Sequence, residues 1–121
     1  MRIIVIDDDK EILDLLETFF STLGHQTDVF TNSIEGLRSI AKEVYDLVLL
    51  DIKLPERDGI EVLKEIKSVD TNLPVVMITG YKEAEKVIEA FRNGAMDCLL
   101  KPFNFDYIKN NILTRISERK K

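Results

Sequence analysis

Apolar runs in this chain repeatedly end on residues able to do chemistry. RIIVI is followed by Asp7, Asp8 and Asp9, and LVLL runs straight into Asp51 in the stretch LVLLDIKLP. PVVMI ends on Thr79 and Gly80, and DCLL on Lys101 and Pro102. If these ends meet, several carboxylates share a partly dry crevice, where burial and mutual repulsion raise at least one pKa unless a cation intervenes. An all-oxygen donor set without His or Cys suits Mg2+ or Mn2+, completed by waters and a backbone carbonyl. Lys101 contributes a compact second cation. Metal, ammonium and the Thr79 hydroxyl together can grip phosphoryl oxygens as charge redistributes during transfer. Asp51 would be the nucleophile, because carboxylates form acyl phosphates.

Taken singly, each piece has an ordinary explanation. Asp8 or Asp9 could simply cap the following helix, Thr79 could be a turn residue, and Lys101 could be a solvated lysine before a proline. The combination is what argues for a site, since four runs each deliver a fitting side chain.

Positioning them requires strands that end together. Five short runs read as strands: residues 2 to 6, 26 to 30, 46 to 50, 74 to 78 and 97 to 100. Between them, apolar residues recur at helical spacing. Ile12, Leu15, Leu16, Phe19, Phe20 and Leu23 form one face, and Ile34, Leu37, Ala41 and Val44 another. Ile60, Leu63 and Ile66 predict a third helix, Ala84, Val87, Ile88 and Phe91 a fourth, and Phe105, Ile108, Ile112 and Ile116 a fifth. Gly24 and Gly94 stand where helices one and four should close on a left-handed residue. Strict alternation of strand and helix predicts an α/β fold, a parallel sheet covered on both faces. In such sheets ligands bind beyond the carboxyl ends of the strands. The run QTDVF is polar enough to be an edge strand, and it is followed only by Thr31 and the capping pair Asn32 and Ser33.

Composition narrows the function classes. A chain of 121 residues suits one domain spanning 1–121. A net charge of −5 disfavours nucleic acid or anionic lipid as a direct partner. The lone Cys98 permits neither a disulfide nor a zinc or redox pair. The opening MRIIVIDDDK breaks its apolar run too early for a signal peptide or membrane span, so a cytoplasmic protein is expected.

The pieces IDD (6 to 8), LVLLDIKLPERDGIEVL (47 to 63), ITG (78 to 80) and NGAMDCLLKPF (93 to 103), in this order, resemble the receiver domains of bacterial two-component response regulators, the CheY-like fold. The resemblance extends from Arg2 to about Ser117. It implies a doubly wound, flavodoxin-like sheet of five strands in the order 2-1-3-4-5 with five helices. It further implies that Asp51 accepts phosphate from a histidine kinase or histidine phosphotransfer protein. Asp7, Asp8, Asp51 and the main-chain carbonyl of Lys53 would hold Mg2+, Thr79 and Lys101 would contact the phosphoryl group, and the Lys101–Pro102 peptide would be cis. The output surface would be helix four, strand five and helix five, with the kinase docking nearer helix one. Such a domain promotes its own phosphorylation and dephosphorylation but acts as a switch rather than an enzyme.

The sequence departs from the family at two places. Cys98 stands where these domains usually carry Tyr or Phe, and a small thiol does not fill an aromatic's pocket. Thr79 is therefore expected to move on activation while position 98 reports little. Lys53 and Tyr81, flanking the path of attacking water, are expected to screen the acyl phosphate and slow its hydrolysis.

Three other functions fit parts of this pattern. A haloacid-dehalogenase-type phosphohydrolase needs a second Asp two positions after the nucleophile, where Lys53 stands. A flavodoxin-type FMN carrier needs a phosphate-cradling first loop, which the acidic DDDK would repel. A non-phosphorylated adaptor is disfavoured because every residue of the phosphorylation set is present. The chain carries no output module, so it either acts alone or is the front of a longer regulator. His25 reads as a surface residue rather than a relay group.

Overall fold

A computed structural model describes residues 1–80 and 84–119. Five strands, β1 (Arg2–Ile6), β2 (Gln26–Phe30), β3 (Leu47–Asp51), β4 (Val75–Thr79) and β5 (Asp97–Leu100), form one sheet. All neighbours pair in parallel, in the order β2-β1-β3-β4-β5. The polar strand β2 lies at an edge, as its composition predicts.

Strands three and four each sit one residue later than the apolar runs predict. Pairing continues through Asp51 opposite Ile78 and Thr79 opposite Leu100. Asp51 and Thr79 are therefore the last residues of their strands, held by the ladder itself, rather than the first residues of loops.

Four helices, α1 (Lys10–Thr22), α2 (Ser33–Lys42), α3 (Gly59–Val69) and α4 (Ala84–Arg92), alternate with the strands. The last helix, here α5, runs through Phe105–Tyr107, a π-helical stretch Ile108–Leu113 and Thr114–Arg119. A uniform α-helix over this region was expected. The wider π turn lets Ile112 and Leu113 flank Ile108 on one face, so that all three are buried with Ile116.

Alternating strand residues serve two separate cores, as the two-residue period of a strand dictates. Ile4, Ile6, Val48, Leu50, Val75 and Met77 pack towards α2, α3 and α4. Ile3, Val5, Leu47, Leu49, Val76 and Ile78 pack towards α1 and α5. Strands β1, β3 and β4 are thus buried on both faces and cannot tilt without disturbing both layers. The helices are held less evenly, since α3 buries five of its eleven residues and α4 only Ala90 of nine. Among the described residues no helix is long and apolar enough to cross a membrane.

Gly24 and Gly94 adopt φ of 85° and 97°, as expected beyond α1 and α4. Gly59 answers a different need. A Cβ there would lie 2.3 Å from the Asp51 carbonyl oxygen and 2.6 Å from that of Ile52. Its N–H donates to the Ile52 carbonyl at 2.7 Å. The start of α3 is therefore pressed against the end of β3, fixing the turn that leaves Asp51. We predict that Gly59→Ala lowers unfolding free energy by roughly 3 kcal/mol, because backbone rather than a side chain must yield. Gly24→Ala, which meets only left-handed strain, should cost about 1 kcal/mol. Urea unfolding of both variants measures the contrast.

Candidate functional site

Strands β1 and β3 are neighbours, so their carboxyl ends set Asp7, Asp8 and Asp51 side by side. One oxygen from each lies within 4.8 Å of the others. Asp7 is fully buried and Asp51 nearly so, while Asp8 faces solvent. Asp9 takes no part in the cluster. It caps α1, accepting the Glu11 N–H at 2.9 Å, which is the ordinary role that a strand-end acid was also able to play.

The two buried carboxylates are oriented by local backbone. Asp7 Oδ1 accepts the Asp9 N–H at 2.9 Å, and Asp51 Oδ1 accepts the Lys53 N–H at 3.1 Å. Each acid is followed two residues later by an amide that folds back upon it, leaving the second oxygen pointing into the crevice. From just past β5, Lys101 Nζ reaches 3.3 Å from Asp7 Oδ2 and 3.7 Å from Asp51 Oδ2. The Lys101–Pro102 peptide is cis, as the resemblance implies.

Electrostatics in the crevice are unbalanced. Burial, and then the neighbouring Asp7 charge, push the Asp51 carboxyl from its ordinary 3.8 up to about 7, against the opposing pull of the Lys53 amide and Lys101. Burial alone would lower the Lys101 pKa, but Asp51 and Asp7 outweigh it and hold it raised. Asp7 Oδ2 is buried and receives no directed hydrogen bond, although the lysine ammonium is near. A buried carboxylate oxygen left in that condition is costly. The donor set fits a small hard divalent cation: all carboxylate, one member open to solvent, and one buried oxygen faced only by the Lys101 ammonium at 3.3 Å.

Thr79 closes the third side from the end of β4 and is almost fully buried. Its hydroxyl donates to the Gly80 carbonyl at 2.9 Å, so it is turned along its own chain and not towards Asp51. Among the described residues nothing lies within 4 Å of where a Gly80 Cβ would be. Cys98 lies half-buried on β5, and burial raises its thiol to about 11, so it is a neutral packing group. With Thr79, Val87, Phe91 and Leu100 it lines an apolar groove of about 510 Å³ between α4 and β5. Tyr81 lies outside the described residues. His25 sits at the opposite end of the sheet, against the Met1 amine.

Two further residues of the stretch LVLLDIKLPERDGIEVL hold helices in place. Asp58 caps α3, accepting the Ile60 N–H at 2.9 Å, and pairs with Lys86 of α4. Glu56 accepts the Ser33 N–H at 2.7 Å and so caps α2 from a distance. The dipeptide Asp58-Gly59 signals a helix start, but nothing in the order of residues announces a partner 28 positions away.

The response regulator receiver domain family matches residues 3–113. Sporulation initiation phosphotransferase F of Bacillus subtilis is 39% identical over 111 residues, covering 92% of this chain and 90% of that protein. Transcriptional regulatory protein ZraR of Klebsiella oxytoca is 36% identical over 96% of this chain, which spans only 27% of that longer regulator. Among solved structures, the receiver domain of NtrX from Brucella abortus superposes with a TM-score of 0.89 at 37% identity, covering 96% of this chain and 98% of that one. With its sheet order, its strand-end acids and its lysine already accounted for, the chain belongs to the response regulator receiver domains, signalling domains switched by phosphorylation.

Proposed function

We propose that this domain takes a phosphoryl group from a phosphohistidine of a histidine kinase or phosphotransfer protein onto Asp51. The observation that carries the reading is the meeting of Asp7, Asp8 and Asp51 oxygens within 4.8 Å, with Lys101 Nζ facing the two buried members. Asp7, Asp8, Asp51 and the Lys53 carbonyl would hold Mg2+, with Mn2+ an acceptable substitute. The ion, when bound, offsets the charge of the acids and of the incoming phosphoryl oxygens.

An Asp51 oxygen attacks phosphorus, the nitrogen–phosphorus bond breaks, and the departing imidazole takes up a proton from water. Lys101 holds a phosphoryl oxygen from the β5 side. Thr79 then has an acceptor better than the Gly80 carbonyl, because a charged phosphoryl oxygen makes the stronger hydrogen bond. Rotation of that hydroxyl links chemistry on β3 to the segment entering α4. Driving such an equilibrium from 1:99 to 99:1 requires roughly 5.5 kcal/mol of differential interaction.

Helix α4, strand β5 and helix α5 form the proposed output surface, supported by the exposure of Ile88, Phe91, Leu100 and Tyr107. The kinase side is proposed nearer α1, where Leu15 is exposed. The partners are proteins in the cytoplasm rather than nucleic acid or membrane, in keeping with the acidic charge. Residues 1–121 form one receiver domain, acting alone as the length of the Bacillus phosphotransferase suggests, or at the front of a regulator such as ZraR.

Incubation with acetyl phosphate and Mg2+ should add one phosphoryl mass to the parent chain. Asp51→Asn should gain none, and excess EDTA should prevent the gain in the parent. Absence of a gain in the parent, or an equal gain in the variant, overturns the assignment.

The raised Asp51 pKa carries its own pH signature. Because the folded value of about 7 exceeds the ordinary 3.8, ionisation costs the metal-free fold stability, absent at low pH and accumulating between about 4 and 7. Asp51→Asn should therefore gain on the parent as pH rises through that window, by at most about 4 kcal/mol at pH 8 in EDTA. Mg2+ should narrow the gap by binding only the parent's full acid cluster. Chemical denaturation at pH 5 and pH 8 measures it.

Lys53 is an exposed residue two positions after Asp51. If it and Tyr81 screen the acyl phosphate, a Lys53→Ala, Tyr81→Ala double variant should lose the phosphoryl mass several-fold faster than the parent, followed as a time course.

A further inference from the structure

Among the helices, α4 has the fewest buried residues of those described. Ala90 is its one buried residue, Ile88 and Phe91 are about half exposed, and the groove along β5 leaves space at its side. A helix held so lightly has its position decided by few contacts. One of them is polar and crosses between elements: Lys86 Nζ lies 2.5 Å from Asp58 Oδ2.

The two ends of this pair differ in freedom. Asp58 is fixed three times over. Its Oδ1 receives the Ile60 N–H, its backbone bridges to Lys53, and Gly59 after it is wedged against the Asp51 and Ile52 carbonyls. It therefore moves only with the end of β3, which carries Asp51. Lys86 belongs to the helix that follows Thr79. The pair thus spans the fixed and the adjustable halves of the site.

We infer that the Lys86–Asp58 pair is a latch that holds α4 in the resting arrangement and opposes the rearrangement phosphorylation drives, an inference that rests on Asp51 being the phosphoacceptor. Its strength follows from exposure. The side chains are 39% and 37% exposed, so water and salt weaken the attraction. Such a pair biases a two-state equilibrium about 3- to 5-fold. That suffices to set the basal active fraction without blocking the switch. Lys86 acts as a positioning residue and does not touch the reacting atoms.

The test titrates beryllofluoride, which mimics a phosphoryl group on a carboxylate, in the presence of Mg2+, and reads the bound fluorine signal by 19F NMR. Lys86→Gln and Asp58→Asn should each lower the half-saturating concentration about 3- to 5-fold, the latter retaining an oxygen to cap α3. The double variant should gain no more than either single one. Lys86→Arg should behave as the parent, and 1 M NaCl should erase the differences. Unfolding curves verify that each variant is folded. A parent that binds, with variants that bind equally or more weakly, overturns the latch alone, as does Lys86→Arg behaving like Lys86→Gln. A parent that fails to bind beryllofluoride overturns the phosphoacceptor reading and the latch with it.

Discussion

Two carboxylates, Asp7 and Asp51, lie almost wholly out of water at neighbouring strand ends, and their repulsion is the force around which this site is arranged. Neither can leave. The ladder between β1 and β3 fixes their spacing, and amides two residues on hold one oxygen of each in place. Lys101 answers part of the excess negative charge but reaches neither acid more closely than 3.3 Å. What remains uncompensated is expressed as a carboxyl at Asp51 pushed up to about 7 and a buried Asp7 oxygen that receives no well-directed hydrogen bond. A site under this electrostatic load favours the arrival of positive charge.

Around that fixed centre the structure divides into stiff and soft parts. Strands β1, β3 and β4 are sealed between two apolar layers, and the wedge of Gly59 leaves no play at the end of β3. Helix α4 has neither kind of restraint. The Thr79 hydroxyl stands at the boundary, attached to a rigid strand and, among the described residues, bonded to the next carbonyl along its own chain. A hydroxyl with one weak, local partner is easily recruited by a stronger acceptor. A rigid sheet would keep the geometry around Asp51 constant while the soft edge changes, the route by which a local charge placed there becomes a change of surface.

Cys98 bears on the same division. Its neutral thiol leaves a groove between α4 and β5 in contact with Thr79 and with Val87 and Phe91 of the soft helix. Space there lowers the steric resistance to moving α4, so polar restraints such as Lys86 on Asp58 gain relative weight. An aromatic side chain at this position would contribute packing of its own and change that balance.

Alternation of apolar runs with helical periods, read from the sequence alone, was enough to determine a parallel sheet, its polar edge strand, the left-handed glycines after α1 and α4, and the strand-end positions of Asp7, Asp8, Asp51, Thr79 and Lys101. These features are local: each depends on the period or chemical type of residues adjacent in the chain. Only the tertiary structure decided that Asp9 caps a helix while Asp8 joins the cluster, and that Thr79 turns towards Gly80. It also decided that α5 widens to bury Leu113, and that Asp58 meets Lys86. Those outcomes depend on which surfaces from distant segments meet and on which oxygen is left without a donor once they do, and residue order carries no direct record of either.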